Sequence, residues 1–322
     1  MKKFTNLDNI EKYFTSEKKC LKYLEHIRWC NTPACPHCGS LNPYKLSDHK
    51  NYKCREKKCK KTFNALTETV FENTKIPLIK WFKAAYLFTS HKKGVSSIQL
   101  GKDLGITQKS AWFMLGRLRE LLKDKSKIPL HGIIEADETF IGGKEKNKHQ
   151  SKGAKEWRKK HDKLPKGRTT GNDNNSVVLG LLQRDGKVVN RVITDATAEY
   201  LLPIIDKGIK KGEAIITDDL GTYRNLPAMG YIHQAVKHSK KEYVVGEAHT
   251  GTIDGYWSLL KRGIYGIYHQ VSLKHLPRYC DEFTFRYNTR QSQEAQRFDT
   301  ALRQCENSRL KYAELIKKTE PN

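Results

Sequence analysis

The spacing of apolar residues along the chain predicts stretches of different character. Near the N-terminus, SEKKCLKYLEHIRW places Cys20, Tyr23, Leu24 and Ile27 at helical intervals, an amphipathic helix within a segment spanning 1–34. Residues 35 to 71 carry only short strand-like runs punctuated by cysteines. From Ile76 to Lys123 the helical period returns in PLIKWFKAAYLFTSHKKG, SSIQLGKDLG and ITQKSAWFMLGRLRELLK. Thr107, just after the Gly105 break, is placed to cap the last of these helices.

Beyond Ile128 the pattern changes to strands. IIEADETFIGG reads as a strand running into a Gly pair, and SVVLGLLQ and KVVNRVIT flank a QRDGK hairpin turn. AEYLLPIIDKGI then reads as a helix leading into the buried-type strand AIITD. Strands first, then strands alternating with helices, predict a mixed α/β sheet domain. Between the first two strands, residues 144–176 are rich in Lys, Gly and Asn and nearly free of aliphatic side chains, which predicts a flexible basic loop. No apolar run reaches the roughly 18 residues of a membrane span, and MKKFTNLDNIEKYF lacks the features of a signal peptide. The expectation is a soluble, unsecreted protein that does not associate with membranes as a spanning chain.

Charge narrows the partner. Sixty Lys and Arg against 35 Asp and Glu give a formal net charge of +25 over 322 residues, a self-repulsion that a polyanion relieves. Nucleic acid leads, with a ribosome-associated or membrane-surface protein as the alternatives. In that light the break Gly105-Ile106-Thr107 between two helices resembles a helix-turn-helix, against the plainer reading of a helical hairpin.

Four of the eight cysteines have metal-type spacing. Cys35 and Cys38 form a CxxC turn, and Cys54 and Cys59 in CREKKC supply a second pair, a tetrahedral thiolate set for one structural Zn2+ in a zinc ribbon. His37 and His49 are near enough to substitute. Cys20, Cys30, Cys280 and Cys305 have no such partners and are expected to pack. Lys45, Lys50, Lys53, Arg55, Lys57, Lys58, Lys60 and Lys61 crowd the ribbon and suit a phosphate backbone, with protein binding as the alternative use of such a ribbon.

Three acids sit on elements that would hold them rigidly. Asp137 follows IIEA, Asp218 ends AIIT, and Asp254 opens the helical segment HTGTIDGYWSLLKRG, in which Lys261 falls two turns later on the same face. Such a set can hold two Mg2+ (or Mn2+) ions about 4 Å apart at a phosphodiester. Strand alternation turns Glu138 away from Asp137 and puts Glu135 on its face as a minor candidate. Asp219 is placed to cap the next helix, while His238 and His249 read equally as structural or as site residues.

The spacing of 35 residues from Asp218 to Asp254, followed by Lys261, resembles the DDE transposase and integrase superfamily. EADETFIGGK, ITDDLGTYRNL and HTGTIDGYWSLLKRGIYGIYHQVSLKHLPRYCDEFTFRYNTR are similar to the insertion-sequence transposases with an N-terminal zinc ribbon, the ISXO-like group related to Merlin elements. CPHCGS and the 76–119 region extend the likeness over nearly the whole chain.

The resemblance implies a multidomain α/β protein with a ribonuclease-H-like catalytic domain. Its parts would be an N-terminal helical segment (1–34), a zinc ribbon (35–72), a helix-turn-helix (73–127), the catalytic domain (128–290) with the basic insertion 144–176, and a C-terminal tail (291–322). Asp137, Asp218 and Asp254 would be the catalytic acids and the ligands of two divalent ions. Lys261 and Arg262 beside the site, Lys109 and Arg117 on the third helix, and Lys144 and Arg158 in the basic loop would contact DNA. Trp157 in that loop could stack on a base. The third acid is commonly Glu in the superfamily; Asp254 is one methylene shorter, a retraction of roughly 1.5 Å. The implied activity is strand cleavage and transfer at terminal inverted repeats, by a dimer or larger assembly on double-stranded DNA in a bacterial-type cytoplasm and nucleoid. A transposase-derived DNA-binding protein and a ribonuclease-H-like nuclease are the alternatives.

Overall fold

The structure, a computed structural model, describes residues 4–30, 32–125, 128–142, 176–236 and 249–317. They divide into two compact units, residues 1–124 together with 289–322, and residues 125–288. None of the described helices is long and apolar enough to cross a membrane.

The first unit begins with α1 (Leu7–Tyr13) and α2 (Glu17–Trp29). Ser16 starts α2, its hydroxyl accepting from the Lys19 amide, and Cys20, Leu24 and Ile27 are buried along it as their spacing predicts. Cys30 instead is exposed, ending α2 in a left-handed conformation rather than packing. A three-stranded antiparallel sheet follows, β1 (Pro43–Lys45), β2 (Tyr52–Cys54) and β3 (Thr62–Phe63), in the order β1-β2-β3. Its small core is aromatic: Tyr52 stacks on Phe63 at 5.7 Å, and Trp29 of α2 meets both rings edge-on.

Helices α3 (Leu78–Ser90), α4 (Ser97–Leu104) and α5 (Gln108–Glu120) complete the helical region. Gly105 ends α4 at φ +58°, and the Thr107 hydroxyl accepts the Ser110 amide at 3.2 Å, the cap its position predicts. Residues 291–322, read from the sequence as a tail, carry α9 (Glu294–Arg303) and α10 (Tyr312–Ile316), which pack within this unit. Phe298 of α9 is fully buried, 6.0 Å from Phe82 of α3 and 6.3 Å from Phe14.

The second unit is built on a five-stranded mixed sheet. Its strands are β4 (Ile133–Ile141), β5 (Ser176–Gln183), β6 (Val188–Ile193), β7 (Ala214–Asp218) and β8 (Ile232–Val236), in the order β6-β5-β4-β7-β8. β4, β5 and β6 are antiparallel, whereas β7 pairs parallel to β4 and β8 parallel to β7. The QRDGK segment makes the β5–β6 turn, with Asp185 at φ +55° and the Gln183 amide bonded to the Lys187 carbonyl.

Apolar residues cover both faces of this sheet. On one, Ile134, Ala136, Leu179 and Leu181 pack against Leu201 and Ile205 of α6 (Ala198–Gly208) and against Tyr223. On the other, Val178 and Leu182 pack beneath α7 (Gly251–Gly263) and α8 (Leu276–Asn288) through Ile253, Tyr256, Trp257, Leu260 and Phe283. The expected mixed sheet with flanking helices is therefore present. α7 and α8 approach closely because Gly263 has no side chain: a Cβ there would lie 1.9 Å from the Phe283 ring. The buried amide of Asn190 on β6 joins the layers, donating to the Tyr256 hydroxyl at 2.5 Å and the Thr284 hydroxyl at 2.6 Å.

Candidate active site

The parallel register of β4 and β7 brings two acids together. Ile133, Ile134 and Glu135 pair with Ala214, Ile215 and Ile216, and pairing stops there. Asp137 and Asp218 each lie two residues beyond the last pair, so they occupy matched positions facing one side of the sheet. Asp254, in the first turn of α7, lines the same cavity of about 320 Å³, together with Glu138, Thr139, Thr250, Trp257, Ser258 and Lys261.

Carboxylate oxygens of Asp137, Glu138 and Asp218 lie within 4.8 Å of one another, and Asp254 stands outside this close-set group. Glu138 is thus a correction to the expectation from alternation. Its backbone does face the opposite side, where the Tyr223 hydroxyl donates to its Oε2 at 2.7 Å, yet its longer side chain returns the carboxylate to the end of the sheet. Asp219 is also corrected. It is exposed, and the short helical turn Gly221–Asn225 after it has no side-chain cap; Asp218 itself accepts the Leu220 amide at 3.1 Å.

Trp257 fixes Asp137. Its indole Nε1 donates to Asp137 Oδ2 at 2.8 Å, and the indole reaches that oxygen over Gly180, the β5 residue paired with Asp137. A Cβ on Gly180 would meet the Trp257 ring at 2.6 Å. Burial raises the Asp137 carboxyl to about 6; the Trp257 bond opposes that rise, while the Asp218 and Asp254 charges add to it. Raised in this way, the carboxyl holds its proton more tightly than an ordinary aspartate, and a cation beside it would favour the charged form.

Glu135 has a different place from a metal ligand. Fully buried, its carboxylate accepts the α7 amides of Thr252 and Ile253 at 3.1 and 2.9 Å and pairs with Arg184 at 2.9 Å. Arg184 also donates to the His249 carbonyl at 2.8 Å, and the His249 ring lies 3.6 Å from Glu135. The N-terminus of α7, with no side-chain cap of its own, is therefore capped by a strand carboxylate, which sets the position of Asp254. Sequence reasoning missed Trp257, Tyr223 and Arg184. Only Gly180, a glycine inside a strand, signalled a close approach.

The expected cations are dispersed. Lys261 is half-buried in the cavity wall, and Arg262 is exposed with its Nε bonded to the Ser258 carbonyl at 3.0 Å. Lys109 is exposed in the first unit. Arg117 is corrected: it is buried, its guanidinium lies over the Trp81 and Phe113 rings, and it donates to the Glu72 carbonyl at 2.7 Å. It serves the interior of its unit because its spacing along α5 turns it inward. Lys144, Trp157, Arg158 and His238, with nearly all of the 144–176 loop, lie outside the described residues.

The cysteine set has metal geometry. Sγ atoms of Cys35, Cys38, Cys54 and Cys59 lie within 4.8 Å of one another, with Cys35 to Cys59 at 3.8 Å and Cys38 to Cys54 at 3.6 Å. A tetrahedron with Zn–S bonds of about 2.3 Å has edges of about 3.8 Å, so the set fits zinc. His37 and His49 are exposed and are not part of the group.

A zinc-ribbon module and an α/β domain with acids at the end of its mixed sheet define a zinc-ribbon protein with a DDE-type transposase domain. Residues 129–288 match the ISXO2-like transposase domain, and residues 15–62 match the transposase zinc-ribbon domain. The chain belongs to the ISXO2-like transposase family. It is 26% identical over 281 residues to an uncharacterized protein in transposable element ISH50 of Halobacterium salinarum, covering 85% of this chain and 92% of that protein. Among solved structures it is distantly similar to a pre-cleavage Mos1 transpososome, at 11% identity and a TM-score of 0.26, over 66% of this chain and 72% of that one.

Proposed function

We propose that the chain is a transposase that binds the terminal inverted repeats of its mobile element and cleaves and joins DNA strands there. The observation that carries this reading is the matched placement of Asp137 and Asp218 on adjacent strands, with Asp254 lining their cavity, inside a transposase domain. Asp137, Asp218 and Asp254 would hold two Mg2+ or Mn2+ ions; carboxylates of Asp137 and Asp218 lie within 4.8 Å of each other, and hard oxygens suit such ions. Ions held there would supply activation of the attacking oxygen and charge stabilisation at the leaving oxygen of a phosphodiester.

The protein's own groups do the rest. Trp257 orients Asp137, Glu135 and Arg184 fix the helix that carries Asp254, and Lys261 meets a phosphate at the cavity wall. The sheet is read as ribonuclease-H-like. The Lys-rich zinc ribbon, and α4 and α5 as a helix-turn-helix exposing Lys109, would grip double-stranded DNA. Lys144 and Arg158 would add phosphate contacts from the basic segment. Joining two DNA ends calls for a dimer or larger assembly, with the protein on chromosomal DNA in the cytoplasm.

Purified protein with Mg2+ and labelled end DNA tests the reading. Nicking and strand transfer that vanish in Asp137→Ala and Asp218→Ala are the expected result. Tight binding without nicking would assign a transposase-derived DNA-binding protein instead, and cleavage of RNA hybrids without strand transfer would assign a nuclease.

A further inference from the structure

Along the outer side of α7 and into the helical turn that continues it, Asp254, Ser258, Lys261 and Tyr265 recur at intervals of four, three and four residues. That row stays on one side of a helix with about 3.6 residues per turn. The first three line the acidic cavity, and Tyr265 continues the row beyond it. Tyr265 is 44% exposed, so its ring is open to a partner on the side of the helix that carries the cavity residues.

The local backbone presents this ring outward. α7 runs directly into a π-helical turn, Ile264–Tyr268, a form that tends to occur at functional sites. The turn ends at His269, with φ +60° and ψ −56°, where the Gln270 amide bonds back to the Tyr268 carbonyl at 2.7 Å in a strained three-residue turn. Ile264 is buried, and the Tyr268 hydroxyl is engaged inside by the Glu282 carboxylate at 2.5 Å. Of the turn's two tyrosines, one is tied to the interior and the other faces out. The Tyr265 hydroxyl approaches the Gly142 backbone only at 3.4 and 3.5 Å, weak contacts that involve the tip of the side chain.

Resting on the reading of the cavity as the DNA cleavage site, we infer that Tyr265 is a stacking platform for a base of the strand that runs from the cavity along α7. Lys261 and Arg262 within the preceding turn neutralise that strand's phosphates. Aromatic faces combined with cations are the usual means of holding an unpaired strand. Eleven residues at about 1.5 Å each put Tyr265 roughly 16 Å along the helix from Asp254. At about 3.4 Å per nucleotide, the stacked base is the fourth or fifth from the scissile phosphate.

The test uses the full chain and a duplex bearing the element's end, with 2-aminopurine placed in turn at about six positions beside the cleavage point. Wild-type protein should change the fluorescence at the fourth or fifth position. Tyr265→Ala and Tyr265→Leu should abolish that change and weaken binding roughly five- to a hundred-fold, with unaltered melting of the free protein. Tyr265→Phe, which keeps the ring and drops the hydroxyl, should behave as wild type. A Phe variant as impaired as the Ala variant would overturn the inference, since the hydroxyl contact with Gly142 would then be what matters. So would an Ala variant that binds and fluoresces as wild type, while cleavage stays dependent on Asp137 and Asp218. A wild-type chain that neither binds nor cleaves end DNA would instead overturn the underlying reading, and the inference with it.

Discussion

The indole of Trp257 donates to Asp137 across 2.8 Å, so the helix that carries the third acid also holds the first. Trp257→Phe keeps most of the packing and removes only the donor. Asp137 then loses a bond that favours its charged form, and its carboxyl moves further above its present value of about 6. Calorimetric titration should find Mg2+ or Mn2+ bound about 10- to 100-fold more weakly at neutral pH. An unchanged affinity would show that Asp137 needs no such support.

The fully buried Glu135 and the partly buried Arg184 form a pair whose charges both serve the start of α7. Glu135→Gln takes the carboxylate from Arg184; removing one partner of a fully buried pair costs about 3–5 kcal/mol, and the partial exposure of Arg184 puts this loss at or below the lower end. Urea unfolding should register a loss of that order. Adding Arg184→Met should recover part of it, because the charge that faced the carboxylate goes too. Equal losses in the single and double variants would mean that the amide contacts, not the ion pair, carry the effect.

Gly263→Ala forces a Cβ into the Phe283 ring. α7 and α8 must separate, at a cost of about 1–3 kcal/mol or more. The melting temperature should fall, and Phe283→Leu in the same chain should restore part of it. Gly180→Ala should do comparable damage by displacing Trp257. It should also weaken divalent-ion binding, which Gly263→Ala affects less.

The four-cysteine set predicts one zinc per chain by elemental analysis. With so little core in the ribbon, the metal contributes on the order of 10 kcal/mol to its folding. Chelation should open residues 35–63 to proteases while the five-stranded sheet stays protected. Cys54→Ser should reproduce the effect without a chelator, and a ribbon that resists proteolysis after zinc is removed would contradict this account.

Much of this architecture is legible in the sequence because local signals state it. The Thr107 cap, the QRDGK turn, the CxxC spacing and the burial of Cys20, Leu24 and Ile27 all follow from short-range pattern. What stays hidden depends on partners distant in sequence. Arg117 looks like a surface cation until Trp81 and Phe113 cover it. EAQRFDTALR reads as a polar tail because most of its side chains are polar, yet Phe298, Ala301 and Leu302 are buried together with Arg297 and Asp299, and the aromatic cluster that receives Phe298 lies some 200 residues or more upstream. Glu135 reads as a spare ligand because the helix end it caps is more than a hundred residues away.

The shared level of Asp137 and Asp218 has a consequence for how such a chain can change over time. Their alignment depends on the register of β4 with β7, not on how much chain separates the two strands. Connections between strands can therefore gain or lose many residues at small cost. A single residue inserted between Ala214 and Asp218 would turn the second acid to the opposite side of the sheet. Length variation should thus accumulate in the connections and be purged from the strands themselves.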